Sequence, residues 1–249
     1  MLDKRKFYIN GKWVTPSKQN DFEVINPSTE DAYAVISLGS KDDVDKAVQS
    51  SKIAFESWKK ISKEERLKLL ETLLEIYKKR FNEMAKAISD EMGAPIDWAT
   101  DVQTGSGQAH LEDFIIRLKE FNFDEHFNSK SNNHICYEPI GVCGLITPWN
   151  WPINQIALKV VPALATGCTM ILKPSEIAPI SGMLFAEMID EAGFPAGVFN
   201  LVNGDGAGVG THISGHPDID MVSFTGSTRA GRLISKNAAE TIKRVCLEL

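Results

Sequence analysis

The sequence predicts an α/β fold with a parallel sheet, and two observations after Pro139 support this prediction. Short apolar runs typical of buried strands alternate with longer segments of helical periodicity. The connections between them are short, which favours right-handed crossovers between parallel strands. The predicted strands are "GVCGLIT", "TMILK", "VFNLVN", "DMVSFT" and "RVCLEL". The helices between them are "PINQIALKVVPALATG", "APISGMLFAEMIDEAG", a short helix after a glycine-rich turn, and "STRAGRLISKNAAE".

The first residues of the chain predict hairpin-like strands followed by a helix. Asn10 and Gly11 separate two apolar runs in "FYINGKWV", a strong signal for a tight turn, and "FEVINPST" is a second piece of this kind. Ser40 and Asp43 have the spacing of a capping box, so a helix is expected to begin after Ser40. Its apolar stripe, which predicts core packing, comprises Val44, Ala47, Val48, Phe55 and Trp58.

A second helical region follows Ser62, which has capping-box spacing with Glu65. Its apolar positions recur at steps of three and four, compatible with one long amphipathic helix or with two helices. These positions are Leu67, Leu70, Leu74, Tyr77, Phe81, Met84 and Ile88. Gly93 fits the C-terminal cap, and Pro95 fits the start of a third helix.

Residues 121–138 interrupt these patterns with the polar, turn-rich sequence "FNFDEHFNSKSNNHICYE". The segment has some strand character. Its composition favours a protruding hairpin arm and a plain surface loop about equally.

Charge and composition exclude several classes of function. The 249-residue chain has a formal net charge of -6 and no basic tract, so its field repels nucleic acid and anionic membranes. No segment approaches the ~18 consecutive apolar residues of a membrane span. The N-terminus "MLDKRKFYIN" has no signal-peptide pattern, and a cytoplasmic location is expected.

The four cysteines, at 136, 143, 168 and 246, show no C-x-x-C spacing. This spacing disfavours a zinc site or a disulfide framework and indicates reduced thiols, so no metal site is predicted. The chain ends in "KRVCLEL", whose apolar side chains at alternate positions indicate a strand. Because domains seldom end within a strand, we expect more chain to follow.

Ligands of open parallel sheets bind beyond the carboxyl ends of the strands. The residues predicted at these ends are Asn150, Lys173, Gly204 to Gly210, Gly226, Ser227 and Glu248.

Asn150 follows the first of these strands, in "LITPWNWPIN". Its amide, with the positive end of the next helix behind it, suits an oxyanion, whereas the alternative role is a simple helix cap. Lys173 and Glu176, in "LKPSE", follow the second strand. Lys173 offers donors to hydroxyls or phosphate, and the Glu176 carboxylate can accept from ribose hydroxyls but repels an added phosphate.

The glycine-rich run "NGDGAGVG" allows close approach of a dinucleotide to the backbone, but it is not the usual G-x-G-x-x-G fingerprint. After Gly206 and Gly208, the required third position is Thr211. In "FTGST", Gly226 permits close approach, and Ser227 offers a hydroxyl or serves only as a helix cap.

Glu248 points away from the apolar side of the last predicted strand. A carboxylate at this position is either a general base or a solvated surface residue.

The chain contains the motifs "TPWNWP", "LKPSE", "FTGS" and "LEL" in the order and at the spacing seen in members of the NAD(P)-dependent aldehyde dehydrogenase superfamily. The chain resembles this superfamily over essentially its whole length. The resemblance implies a Rossmann-like domain without the usual glycine fingerprint and with helices on both faces of its sheet. It implies a cofactor-binding domain over 1–120 and 140–249. Residues 121–139 then form part of an arm that joins subunits into a dimer or tetramer, and the catalytic domain lies outside this chain.

The resemblance also assigns roles to individual residues. Asn150 matches the oxyanion-hole asparagine, and Glu248 matches the glutamate that activates the deacylating water. The residues that match cofactor contacts are Ile146, Thr147, Pro148, Trp149, Lys173, Glu176, Gly206, Gly210, Gly226 and Ser227. The expected cofactor is NAD, with NADP as an alternative. The resemblance implies that much of the substrate tunnel comes from the missing half, and from this chain the candidates to line it are Trp151 and Gln155, with Trp98 or Gln103 as alternatives.

The implied reaction is oxidation of an aldehyde through a cysteine thioester, which water hydrolyses to the acid. The family's nucleophilic cysteine lies well beyond the position of Glu248, so Cys246 is not expected to replace it, and residues 1–249 alone are expected to be inactive. Two alternatives remain: a catalytically inactive cofactor-binding or interaction module, and an aldehyde dehydrogenase that transfers its acyl group to coenzyme A. Glu248 disfavours the second, because a deacylating base has less purpose there.

Overall fold

The computed structural model describes residues 1–128 and 132–249. The strands in chain order are β1 (Leu2–Asp3), β2 (Phe7–Ile9), β3 (Lys12–Val14), β4 (Asp21–Asn26), β5 (Asp31–Ser37), β6 (Asp124–His126), β7 (His134–Cys136), β8 (Val142–Ile146), β9 (Thr169–Lys173), β10 (Phe199–Leu201), β11 (Met221–Thr225) and β12 (Arg244–Glu248). The helices are α1 (Lys41–Trp58), α2 (Lys63–Lys79), α3 (Phe81–Met92), α4 (Ile96–Trp98), α5 (Gly105–Glu120), α6 (Pro152–Thr166), α7 (Ile180–Glu191), α8 (Thr211–Gly215) and α9 (Thr228–Ala239). π-Helical turns at Ala99–Thr104 and Gly206–Gly210 precede α5 and α8.

The main sheet has seven strands in the order β12-β11-β8-β9-β10-β2-β3. The five strands after Pro139 are parallel to one another, as the sequence predicts. The first hairpin, β2–β3, was not predicted to join them; it pairs antiparallel with β10 and makes the sheet mixed. Asn10 and Gly11 form its turn with φ of 53° and 70°, left-handed conformations that this turn type requires.

Helices cover both faces of the sheet, which confirms the predicted fold class. Along β8, Val142 and Ile146 join a core cluster that contains Val48 of α1. Cys143 and Leu145 point to the opposite face and join the cluster that contains the apolar residues of α6 and α7. Full burial of a Val or Leu side chain stabilises the fold by roughly 1.5–3 kcal/mol, so the alternation along β8 fixes which side of the strand meets each helix layer.

The long helical region consists of two helices rather than one. Arg80, with φ −100° and ψ 16°, ends α2 and begins α3. The predicted capping box is present at the start of α2, where the Ser62 hydroxyl accepts from the Glu65 amide at 3.2 Å and the Glu65 carboxylate accepts from the Ser62 amide at 3.1 Å. Gly93 caps α3 in the left-handed conformation.

A second sheet, with strand order β1-β5-β4, packs beside the helices. The sequence analysis predicted β4 but missed β1 and β5. The run Ala34 to Ser37 in β5 is buried, and its apolar sequence is a signal that could have identified this strand.

The segment after α5 contains a short hairpin and is not a plain loop. β6 and β7 pair antiparallel, with Asp124 opposite Cys136 and His126 opposite His134. The middle of the predicted arm, 129–131, lies outside the described residues. In the described part of the chain, no helix has the length and apolarity needed to cross a membrane.

Candidate active site

The carboxyl ends of the parallel strands meet at one edge of the sheet and bring the predicted site residues together. Ile146 at the end of β8 lies opposite Lys173 of β9, and Thr225 of β11 lies opposite Glu248 of β12. Neighbouring strands are about 4.8 Å apart, so these ends form one continuous rim.

Asn150 is exposed at this rim, and it is not the cap of α6. Trp151 occupies the N-cap position and Pro152 begins the helix, so the capping alternative for Asn150 is wrong. The Asn150 amide makes no hydrogen bond to any residue of 1–128 or 132–249, which leaves it available to a ligand. Trp149 beside it is 49% exposed.

Glu248 is held by two side chains from other elements. Its Oε1 accepts from Nε2 of Gln155 in α6 at 3.3 Å, and its Oε2 lies 3.0 Å from Oγ1 of Thr225. The same Thr225 hydroxyl lies 3.0 Å from Oε1 of Gln155, and its one proton serves one acceptor at a time. These contacts place the first turns of α6, which follow Asn150, directly against the carboxylate.

Lys173 is buried, with its ammonium group surrounded by acceptors. Nζ donates to the carbonyl oxygens of Pro174 at 2.9 Å and Gly204 at 2.6 Å, and it lies 3.5 Å from Oε2 of Glu176. Burial lowers the pKa of Lys173, and the Glu176 charge opposes this effect. Because its donors are occupied, Lys173 ties the ends of β9 and β10 together and orients Glu176, whose side chain is 28% exposed and more accessible to a ligand.

The glycine-rich turn after β10 is built around Asp205, whose carboxylate accepts from the Gly208 amide at 2.6 Å. Gly206 is exposed, and a Cβ there would meet no atom within 4 Å. Nothing in the described chain therefore blocks approach to its backbone. Gly204 instead allows Val209 to pack against the backbone, since a Cβ at Gly204 would lie 2.2 Å from a Val209 methyl group. Gly210 is buried.

Ser227 is the N-cap of α9, where its hydroxyl accepts from the Ala230 amide at 3.3 Å. The capping interpretation therefore describes one contact of this residue. Ser227 is also exposed at the positive end of a 12-residue helix, so a capping role and a ligand contact are compatible. Gly226 donates its amide to the Glu248 carbonyl at 3.0 Å and joins the two strand ends.

Thr147, directly after β8, is 3% exposed. Its hydroxyl has no hydrogen-bond partner within the described residues. Ile146 is also buried, whereas Pro148 is half-buried and leads to exposed Trp149. An unpartnered buried hydroxyl at the rim is a group whose hydrogen bond a ligand can supply.

A model of the aldehyde dehydrogenase family matches residues 13–249. The chain belongs to this family. It is 53% identical over its whole length to a 3-succinoylsemialdehyde-pyridine dehydrogenase from a Pseudomonas species, and it covers 52% of that protein. The chain thus spans about half the length of the curated aldehyde dehydrogenases it matches.

Solved aldehyde dehydrogenases share this fold closely. The enzyme from Bartonella henselae is 62% identical with a TM-score of 0.99, and the match covers 100% of this chain and 52% of that one. A mutant of aldehyde dehydrogenase C from Pseudomonas syringae, in complex with NAD+ and octanal, is 46% identical with a TM-score of 0.96, over 98% of this chain and 50% of that one. The betaine aldehyde dehydrogenase of Staphylococcus aureus, also in complex with NAD+, is 34% identical with a TM-score of 0.94, over 99% and 50%.

The structure adds one residue to the predicted site and shows the contacts of the residues named for a substrate tunnel. Thr225 was missed, although it directly precedes Gly226 in "FTGST" at a strand end. Gln155, which the sequence analysis named as a tunnel residue, contacts Glu248. Among the other tunnel candidates, Trp98 packs edge-on against Trp151 with ring centroids 6.2 Å apart, whereas Gln103 is 2% exposed and lies within the core.

Proposed function

We propose that the intact protein oxidises an aldehyde to its carboxylic acid with NAD, and that residues 1–249 supply the cofactor cleft, an oxyanion donor and a general base. The contact between Gln155 and Glu248 carries this proposal. It holds the start of α6, which directly follows Asn150, against the Glu248 carboxylate. The motif resemblance supports these two roles.

The rim residues fit a dinucleotide. Glu176, held by Lys173, offers acceptors to ribose hydroxyls, and the exposed N-terminus of α9 at Ser227 suits a pyrophosphate. The backbone of Gly206 is accessible to a ligand, and the Thr147 hydroxyl has no hydrogen-bond partner within the described residues. When bound, NAD accepts a hydride from the substrate.

Asn150 would donate its amide to the substrate oxygen as that oxygen becomes negative. The N-terminus of α6 behind it adds a favourable field. Loss of one such donor raises a barrier by roughly 2.7–4 kcal/mol. Glu248 would take a proton from the water that releases the acid, and Thr225 and Gln155 would hold its carboxylate in place until then.

The test is the time course of NADH formation by the intact protein carrying Glu248→Gln. An amide cannot take the proton from water, so a first-turnover burst of NADH followed by a much slower steady state is expected. Glu240→Gln, at the exposed end of α9, is the matched control and should behave like the wild type. If the burst and the steady state fall together in Glu248→Gln, the carboxylate has another role.

The proposal also includes the oligomeric state of the intact enzyme and its location in the cell. The exposure of the hairpin β6–β7 supports a role in forming a homodimer or homotetramer. All four cysteines are free thiols, which supports a cytoplasmic location. Analytical ultracentrifugation of the intact protein, with and without residues 121–139, tests the first point; an unchanged oligomer would exclude the arm.

A further inference from the structure

Glu248, Thr225 and Gln155 form a closed hydrogen-bond network at the rim of the sheet, in which each side chain contacts the two others. Gln155 Nε2 lies 3.3 Å from Glu248 Oε1, and Thr225 Oγ1 lies 3.0 Å from Glu248 Oε2. The same Thr225 Oγ1 lies 3.0 Å from Gln155 Oε1. The network joins three elements, since Thr225 and Glu248 lie opposite each other on β11 and β12, and Gln155 belongs to α6.

The carboxylate determines the orientation of the Gln155 amide. An ionised carboxylate only accepts hydrogen bonds, so the NH2 group of Gln155 faces Glu248 and the amide oxygen faces Thr225. Gln155 is 8% exposed, so its polar atoms depend mainly on these two partners for hydrogen bonds. Glu248 is exposed, so water has access to its carboxylate.

The number of protons in this network differs between the two states of Glu248. With Glu248 ionised, Gln155 and Thr225 each supply one proton, so two protons serve three contacts. Thr225 then donates to one of its two neighbours, and its contact with the other brings two oxygens within 3.0 Å without a proton between them. With a proton on Oε2 of Glu248, that oxygen donates to Thr225, Thr225 donates to Gln155, and Gln155 donates to Oε1. All three contacts are then hydrogen bonds.

We propose that Gln155 and Thr225 are positioning residues whose hydrogen bonds become complete when Glu248 accepts a proton, so that the network favours proton transfer from water to Glu248. This inference rests on the proposed function, in which Glu248 is the general base. As one proton of the water moves to Oε2 of Glu248, the water oxygen bonds to the acyl carbon of the thioester, and the bond between that carbon and sulfur breaks. The proton then passes from Glu248 to solvent, which restores the carboxylate.

The change from one set of hydrogen bonds to the other needs no movement of heavy atoms. The three pairs of atoms are already at hydrogen-bond distance, and only the hydroxyl proton of Thr225 has to rotate from Glu248 towards Gln155. The same positions therefore serve the carboxylate before the transfer and the carboxylic acid after it. Groups that need no reorganisation during a reaction stabilise its transition state most effectively.

The test measures the first-turnover burst of NADH and the steady-state rate of the intact protein carrying Gln155→Met or Thr225→Val. Either substitution opens the network and leaves the Glu248 carboxylate in place. We expect the burst rate to stay close to that of the wild type and the steady-state rate to fall by about tenfold, as for the loss of one hydrogen bond to a charged group. Thr225→Ser, which keeps the hydroxyl, should restore the steady-state rate.

Gln108→Met is the matched control. It removes a 2.9 Å hydrogen bond from a helical glutamine to Glu112 in α5, and it should leave both rates unchanged. In the Glu248→Gln background, Thr225→Val should cause no further loss of the steady-state rate, because the network acts through the Glu248 carboxylate. If Thr225→Val does not fold, as judged by circular dichroism, Gln155→Met decides the question.

Wild-type steady-state rates in Gln155→Met and Thr225→Val would overturn the inference. So would a burst that falls as far as the steady state in these variants, a Thr225→Ser variant as slow as Thr225→Val, or a further loss from Thr225→Val in the Glu248→Gln background. Failure of the proposed function gives a different result, since Glu248→Gln itself would then lose the burst together with the steady state.

Discussion

Glu91 makes the stability of the domain depend on pH near neutrality. The last turn of α3 contains this carboxylate, which is 1% exposed and accepts from the backbone amides of Ile180 at 2.5 Å and Ser181 at 3.1 Å, at the start of α7. These amides are two of the donors that a helix N-terminus leaves unpaired. Burial nevertheless raises the pKa of Glu91 from 4.5 to about 7, because removal of the charge from water outweighs the two hydrogen bonds.

The sign of the effect follows from proton binding. Between pH 4.5 and about 7 the folded state holds a proton on Glu91 that the unfolded state has lost, so stability falls as pH rises through this window. The change in pKa is about 2.5 units, and each unit corresponds to 1.36 kcal/mol, so the difference is roughly 3 kcal/mol across the window. The stabilising contribution is fully present below pH 4.5.

The test substitution is Glu91→Gln. Glutamine has nearly the same shape as protonated glutamate, but its side chain does not ionise. We expect the free energy of unfolding of the variant, relative to wild type, to rise by roughly 3 kcal/mol from pH 5 to pH 8. Urea unfolding followed by far-UV circular dichroism at several pH values measures this difference. Glu23→Gln, at an exposed glutamate of β4, is the control and should leave the pH dependence unchanged. The same pH dependence in wild type and Glu91→Gln would refute the reasoning.

Three further predictions concern the cofactor cleft and the cysteines. The intact enzyme should prefer NAD over NADP by about tenfold in kcat/KM, because the Glu176 carboxylate opposes a 2′-phosphate, and Glu176→Gln should narrow the ratio; equal efficiency in the wild type would contradict this. Lys173→Met should lower the free energy of unfolding by roughly 1–3 kcal/mol for each carbonyl left without its donor, measured by urea unfolding, and an unchanged midpoint would contradict it. Residues 1–249 expressed alone should produce no NADH from aldehydes, and turnover that disappears in Cys246→Ser would show the prediction wrong.

Much of the fold could be predicted because its signals are local. The strands of the parallel sheet are short apolar runs bounded by turn residues, and β8 and β9 are buried at every position, as expected for strands covered on both faces. The break between α2 and α3 was left open, because the apolar stripe continues through Arg80 without a proline or glycine to mark the end.

Contacts between distant elements could not be predicted in the same way. The contact between Gln155 and Glu248 joins residues 93 positions apart and depends on how α6 is rotated above the sheet. Periodicity identifies the buried side of a helix but does not identify which polar residue at its edge meets a particular strand end. The burial of Lys173 could not be predicted from the sequence either. One of its hydrogen-bond acceptors is the backbone carbonyl of Gly204, and the residue type at a position does not indicate such a backbone contact.

The start of α6 explains why Asn150 is available for a ligand. A helix N-terminus leaves amide donors unpaired, and an asparagine at the N-cap would normally turn its side chain back to accept from them. Here Trp151 takes the N-cap position, with φ −139° and ψ 65°, and Pro152 begins the helix without an amide proton. No side chain in the described chain caps this end. The Asn150 side chain is therefore not used to cap α6, and in the proposed function it can meet a ligand in front of this helix end, where the helix dipole favours negative charge.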